Sequence, residues 1–242
     1  MTHLLLLLFA ILPGLLWLLY YLRKDKHPEP KKLIVLVFFI GALFAIFGYF
    51  FQQYLSSLFS LLEDNFLSFA LFFVYFHKFF IIAFTEEFLK YLSFSLTMKK
   101  NTELDEPIDI IIYMITAAMG FATLENIIIF FSLDTTVISF TEIVKISLLR
   151  LFSGTLLHLF SSGILGVFIV YFYRFNKPII LFSGFLVATF LHGLYNMIAS
   201  RIEADPTLFA PLLIFFFTSL SLILSFGIKR ANRMQAVSIF KK

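Results

Sequence analysis

The chain of 242 residues contains no cysteine, little charge and no polar stretch long enough to form a soluble domain. The absence of cysteine excludes disulfide bonds, a thiol nucleophile and a thiolate metal site. Charged residues make up 14% of the chain, against about 25% in an average soluble domain. Hydrophobic residues make up 60%, which indicates a protein embedded in a lipid bilayer. The basic residues lie in short segments between hydrophobic runs, so we expect no nucleic-acid partner.

Long hydrophobic runs are the main feature that is present. A helix that spans a membrane needs about 20 mainly apolar residues. Seven runs meet this requirement, near 4–22, 33–52, 67–96, 108–132, 146–173, 178–199 and 208–228. We therefore expect an all-α, polytopic membrane protein whose residues 1–242 form a single transmembrane helix bundle. The first run lacks a basic leader and a small-residue cleavage site, which favours a retained helix over a signal peptide.

The segments between these runs alternate in charge. Lys and Arg concentrate in 23–32, 99–100, 174–177 and after 228, whereas the intervening segments carry only Lys145 and Arg201. Because positively charged segments stay in the cytoplasm, the N-terminus is predicted outside and the C-terminus inside a bacterial inner membrane. Residues 53–66 fit two placements, an amphipathic helix on the membrane surface or an extension of the second span.

Four of the runs carry polar residues that are costly to place in lipid. A charge in the middle of a span costs about 2.5–3.5 kcal/mol, whereas each large apolar residue returns about 0.3–0.6 kcal/mol. The polar side chains are tolerated if they face one another or water, so we expect them to line one cavity. They are Glu86, Glu87 and Lys90 in the third run, Glu125 and Asn126 in the fourth, Arg150 and His158 in the fifth, and His192 and Asn196 in the sixth.

This set of residue types can activate a water molecule. Lys90 follows Glu86 by four residues and Glu87 by three, so it reaches either carboxylate on the helix surface. We expect Lys90 to hold one carboxylate while the other acts as a general base. Glu86 is the favoured base, although the spacing alone does not decide between Glu86 and Glu87. An imidazole would orient the water or protonate the leaving group, and Asn196 would donate its amide N–H to the oxyanion.

Two further interpretations use the same polar residues. Glu125, His158 and His192 would bind Zn²⁺ with water as the fourth ligand, although no His-Glu-x-x-His motif is present and we predict no resident cofactor. Intramembrane Glu, His and Lys also form proton relays, so the alternative function is a proton-coupled transporter or channel. A non-catalytic membrane scaffold is a third possibility. His77 and Lys78 are expected to have structural roles.

The four polar sites, in their order along the chain, resemble the motifs of PrsW-type intramembrane proteases. These proteases are related to the CAAX-prenyl endopeptidases and the Abi proteins. The motifs are Glu86-Glu87-x-x-Lys90, Phe121-x-x-x-Glu125-Asn126, Arg150 with His158, and His192-x-x-x-Asn196. Lys90 and Glu125 stand where the CAAX branch carries Arg and His, which favours the PrsW branch.

The resemblance covers about residues 75–200 and implies a catalytic core near 67–200. It implies an endopeptidase of the glutamic type, or of the metallo type, that cleaves a membrane-embedded substrate similar to an anti-sigma factor. The catalytic residues that it implies are Glu86, Glu87, Lys90, Glu125, His158, His192 and Asn196.

Overall fold

The computed structural model describes residues 2–63, 74–99, 101–133, 138–202 and 204–234. These residues form helices joined by short connections and contain no β-strand, which confirms the all-α prediction. A π-helical segment, His77–Phe84, runs directly into the third helix. The α-helices are α1 (Thr2–Leu22), α2 (Lys31–Glu63), α3 (Thr85–Met98), α4 (Pro107–Ser132), α5 (Phe140–Phe152), α6 (Gly154–Phe175), α7 (Pro178–Ala199) and α8 (Pro206–Ala231).

Six stretches within the described residues are long and apolar enough to cross a membrane, and α5 and α6 together make one of them. They correspond to six of the seven predicted spans. The remaining prediction, 67–96, begins outside the described residues, and its described part carries three buried charges: Glu86, Glu87 and Lys90. Residues 53–63 continue α2, as an extended second span requires, and residues 64–66 lie outside the described residues.

Helix α4 lies at the centre of the bundle. Every residue from 107 to 123 is buried, as expected for a helix that is apolar on all sides. Glycines bring α4 and α2 into backbone contact. A Cβ atom at Gly120 would lie 1.9 Å from the carbonyl oxygen of Phe38, and one at Gly41 would lie 2.2 Å from that of Ala117. This central helix carries Glu125 and Asn126 of the candidate site.

The fifth predicted span, 146–173, contains a helix break. Ser153 has φ −131° and ψ −90°, which separates α5 from α6. Gly154 follows the break, and a Cβ atom there would lie 2.5 Å from the guanidinium of Arg150. The break and the missing side chain therefore let Arg150 fold back toward α4.

Candidate functional site

The π-helical segment places two glutamates in the interior of the bundle. Glu86 and Glu87 lie in the first turn of α3, directly after His77–Phe84. Single π-helical turns are uncommon and occur frequently at functional sites. Helix α7 packs closely on the segment, because a Cβ atom at Gly193 would lie 2.3 Å from the ring of Phe79. This contact brings the preceding residue of α7, His192, against the glutamates.

Glu87 is fully buried and has four hydrogen-bond partners. Its Oε1 lies 2.8 Å from Lys90 Nζ, 2.8 Å from Ser161 Oγ and 2.8 Å from His192 Nδ1. Its Oε2 accepts a hydrogen bond of 2.9 Å from Ser162 Oγ. An ionised carboxylate only accepts and has about four lone-pair positions, and Glu87 has four donors around it. This carboxylate therefore organises the site by holding groups from three helices.

The hydrogen bond to Glu87 fixes the protonation pattern of His192. Because Glu87 accepts, Nδ1 of His192 carries a proton, and in the neutral imidazole Nε2 then keeps its lone pair. That Nε2 atom lies 3.5 Å from Oε2 of Glu86. A histidine oriented by a carboxylate on one nitrogen, with the other nitrogen open, is the arrangement that metal-binding histidines adopt.

His158 lies between a cation and a carboxylate. Its Nδ1 is 2.7 Å from Lys90 Nζ, and its Nε2 is 2.7 Å from Oε2 of Glu125. Since an ammonium group only donates, Nδ1 accepts and Nε2 donates to Glu125. The rings of His158 and His192 lie 5.3 Å apart, nearly perpendicular to each other.

Glu86 is the carboxylate with an open oxygen. Its Oε1 accepts a hydrogen bond of 3.2 Å from Gln52 Nε2. Its Oε2 is buried and has no hydrogen-bond partner among the described residues. Three polar atoms surround this oxygen beyond ordinary hydrogen-bond length: His192 Nε2 at 3.5 Å, His158 Nδ1 at 3.8 Å and Lys90 Nζ at 3.9 Å. The site thus converges on Oε2 of Glu86.

Arg150 and Asn126 form the edge of the cluster. Arg150 Nη2 lies 3.4 Å from Oε2 of Glu125, and its Nε donates to Oδ1 of Asn126 at 2.5 Å. Asn126 Nδ2 donates to Thr155 Oγ1 at 3.3 Å. The side chain of Glu125 is 26% exposed, whereas those of Glu86 and Glu87 are 5% and 0% exposed. The cluster therefore opens toward its surroundings on the Glu125 side.

The structure brings six of the seven predicted residues into contact and places the seventh nearby. Asn196 lies on α7 one turn after His192, and its Nδ2 is buried without a hydrogen-bond partner in the described part of the chain.

His77 and Lys78 lie outside the cluster. His77 Nε2 contacts Ser56 Oγ at 2.8 Å, and Lys78 Nζ donates to Ser200 Oγ at 2.6 Å.

The residues that could hold a metal differ from the expected set by one. Glu86, His158 and His192 each offer a ligand atom within 4.8 Å of the others, whereas the expected carboxylate was that of Glu125. Glu125 instead contacts the far nitrogen of His158. The unpartnered Oε2 of Glu86 and the open Nε2 of His192 fit a metal. Lys90 occupies Nδ1 of His158, so a metal bound there would replace a hydrogen bond.

Three contributors were missed from the sequence. Ser161 and Ser162 follow His158 by three and four residues, so helical spacing could have placed them on the same face. Gln52 lies near the end of the predicted second span, and nothing in the sequence links it to Glu86.

The fold and the cluster define a polytopic membrane protein with a group of buried ionisable side chains inside the bundle. The family model described as PrsW family intramembrane metalloprotease matches residues 29–223. Protease PrsW of Oceanobacillus iheyensis is 30% identical over 225 residues, which cover 92% of this chain and 94% of the relative. Protease PrsW of Bacillus subtilis is 25% identical over 240 residues, 96% of each chain.

The chain belongs to the PrsW family and is an intramembrane protease of a bacterial membrane. Protease PrsW of Geobacillus kaustophilus is a further relative, 28% identical over 192 residues that cover 77% of this chain and 76% of the relative. No solved structure matches the chain.

Proposed function

We propose that this chain is an endopeptidase that cleaves a single-span, membrane-anchored protein by means of a water activated at Glu86. The observation that carries the proposal is the open Oε2 of Glu86, buried among His192, His158 and Lys90. By the family's motifs, the substrate resembles an anti-sigma factor. The catalytic core is residues 67–200 of a single transmembrane domain.

In this mechanism Glu86 removes a proton from the attacking water. Glu87 does not react, because its four donors hold it as an anion that fixes Lys90 and His192. Lys90 supplies positive charge beside Glu86, and the lone pair on Nε2 of His192 can take up the proton that Glu86 removes. General-base catalysis of this kind contributes about 10²–10⁴-fold to the rate.

Asn196 serves the other side of the reacting carbonyl. Its Nδ2 is a buried donor without a partner among the described residues. In the proposed complex it donates to the oxyanion that forms when water attacks.

Glu125, held by Arg150 and His158, lies at the exposed edge and keeps His158 in the required tautomer. As the imidazole next to Glu86 with an open nitrogen, His192 passes the proton to the leaving amine.

The family description includes a metal, and the residues fit one. Glu86, His158 and His192 would hold it. Glu87 would orient His192 through its hydrogen bond to Nδ1, without touching the metal. A divalent metal bound there would supply Lewis-acid chemistry and a more acidic water. In that case Glu86 would serve as a ligand, and Lys90 would release His158.

Reconstituted protein tests the proposal directly. The full chain is inserted into liposomes with a labelled single-span substrate, and cleavage is followed beside proton flux. We expect cleavage, no proton flux and loss of cleavage in Glu86→Gln. Proton flux without cleavage would instead support the transporter alternative. Metal analysis of the same preparation, with chelation and readdition of Zn²⁺, separates the glutamic from the metal-dependent mechanism.

A further inference from the structure

A second buried cluster of carboxylates lies where the connection between α1 and α2 meets the beginning of α4. Asp25 and Glu29 come from the connection, and Asp109 comes from the first turn of α4. One carboxylate oxygen of each lies within 4.8 Å of the other two. Asp109 precedes Glu125 by 16 residues on the same helix, which separates the two clusters by roughly 24 Å. The proposed proteolytic mechanism does not use this second cluster.

Hydrogen bonds hold two of these carboxyl groups, those of Asp109 and Glu29, in place. Asp109 Oδ2 accepts from the backbone N–H groups of Asp105 at 3.0 Å and Glu106 at 2.6 Å. Glu29 Oε2 accepts from the hydroxyl of Tyr113 at 2.5 Å. The side chains of Glu29 and Asp109 also form a hydrogen bond with each other, which a bound cation would replace.

Asp25 provides a second, independent indication of a ligand. Its Oδ1 accepts from the backbone N–H of His27 at 3.0 Å. Its Oδ2 is buried without a hydrogen-bond partner among the described residues, and the residue is only 8% exposed. A buried carboxylate oxygen with no partner is costly. Here that oxygen belongs to a side chain with a carboxylate oxygen within 4.8 Å of two further carboxylates.

The negative charge of the cluster is not balanced by nearby cations. In the part of the chain that the structure describes, no Lys or Arg forms an ion pair with any of the three carboxylates. The one neighbouring imidazole, His27, pairs with Glu106 at 2.7 Å instead. Burial raises the pKa of both Asp25 and Glu29. A bound cation would offset this cost of ionisation.

We propose that Asp25, Glu29 and Asp109 bind one hard divalent cation, Ca²⁺ or Mg²⁺. All available ligands are oxygens, which these ions prefer and Zn²⁺ does not require. Ca²⁺ binds oxygen at about 2.3–2.6 Å, so oxygens on opposite sides of the ion lie up to about 5 Å apart. Separations within 4.8 Å therefore suit a shared ion. The ion would tie the α1–α2 connection to the beginning of the central helix.

Ion binding to the full chain tests this site without any measurement of proteolysis. Protein purified in detergent is stripped with EDTA, and Ca²⁺ and Mg²⁺ are titrated separately at constant ionic strength. We expect about one ion to bind per chain. At a hundredfold excess over the Kd, we expect Tm to rise by about 5 °C. Zn²⁺ at the same concentration should not reproduce the effect.

Variants assign the effect to the cluster. Asp25→Asn and Glu29→Gln should each weaken ion affinity about tenfold or more. If Asp25→Asn folds poorly, Glu29→Gln still tests the site. Glu103→Gln is the matched control, because it removes one charge from an exposed position in the segment before α4 and should bind the ion normally. Glu86→Gln should also bind normally, which separates this site from the protease site. Absence of binding would overturn the proposal. Equal binding by all four variants would also overturn it, because the ion would then bind at another site.

Discussion

Lys90 Nζ lies 2.8 Å from Oε1 of Glu87, and both side chains are 0% exposed. The pair forms within one turn of α3 and is completed by groups from two other helices, since Lys90 also contacts His158 and Glu87 also contacts His192. A charged pair in this position connects α3, α6 and α7. The same contact therefore stabilises the packing of these helices and fixes the positions of the site residues.

Replacement of Lys90 by Ala should destabilise the fold. The change leaves Glu87 buried without its cation, and breaking a buried pair costs about 3–5 kcal/mol. Thermal unfolding of the detergent-solubilised variant measures the loss. Adding Glu87→Gln to Lys90→Ala should recover part of it, because the unpaired charge is then gone. Equal stability of Lys90→Ala and the wild type would contradict a structural role for the pair.

Glu86→Gln and Glu87→Gln should have different effects. Glu86→Gln removes the proposed base at an oxygen without a partner, so cleavage should fall about 10²-fold or more with the folded yield retained. Glu87→Gln disturbs four hydrogen bonds and should lower Tm as well as activity. Cleavage rates and Tm are measured on the same preparations. Cleavage at the wild-type rate by both variants would show that Glu86 and Glu87 have only a structural role.

Asn196→Ala should impair catalysis and leave stability nearly unchanged. Nδ2 of Asn196 makes no hydrogen bond in the described residues, so its removal breaks no observed contact. If this group binds the oxyanion, kcat should fall about 10²–10³-fold. A single-turnover assay with saturating substrate measures the change. A Tm loss that accompanies unchanged kcat would assign Asn196 to packing.

Gly120→Ala should weaken the contact between α2 and α4. The added methyl group meets the backbone oxygen of Phe38, which cannot rotate away, so we expect a loss of about 1–3 kcal/mol. Gly163→Ala is the matched control. Its new methyl group meets the δ carbons of Leu224 at 2.9 and 3.0 Å, the end of a flexible side chain. Thermal unfolding of both variants should give Gly120→Ala a Tm well below that of Gly163→Ala.

The predicted orientation is tested by reporters. A reporter fused after Lys242 should be active on the cytoplasmic side, because Lys229, Arg230 and Arg233 are expected there. A reporter inserted between α4 and α5 should behave as external. An external signal from the reporter after Lys242 would contradict the predicted cytoplasmic C-terminus.

Composition and hydropathy alone determined that this is a helical membrane protein. A span is encoded locally, since about 20 consecutive apolar residues are sufficient to define one. The order of the motifs, from Glu86 to Asn196, likewise indicated the family to which the chain belongs. The expectation that the polar sites share one cavity also follows from local cost, because each isolated charge would be expensive in lipid.

The different surroundings of the two adjacent glutamates depended on the tertiary structure. Glu86 and Glu87 are identical in chemistry and both lie within reach of Lys90, so the spacing favoured neither. Contacts from α6 and α7 give Glu87 three of its four donors and leave Oε2 of Glu86 open. The same packing placed Glu86, rather than Glu125, with the two histidines. These differences arise because hydrogen bonds between helices depend on how the helices rotate and pack, and the spacing within one helix does not encode that.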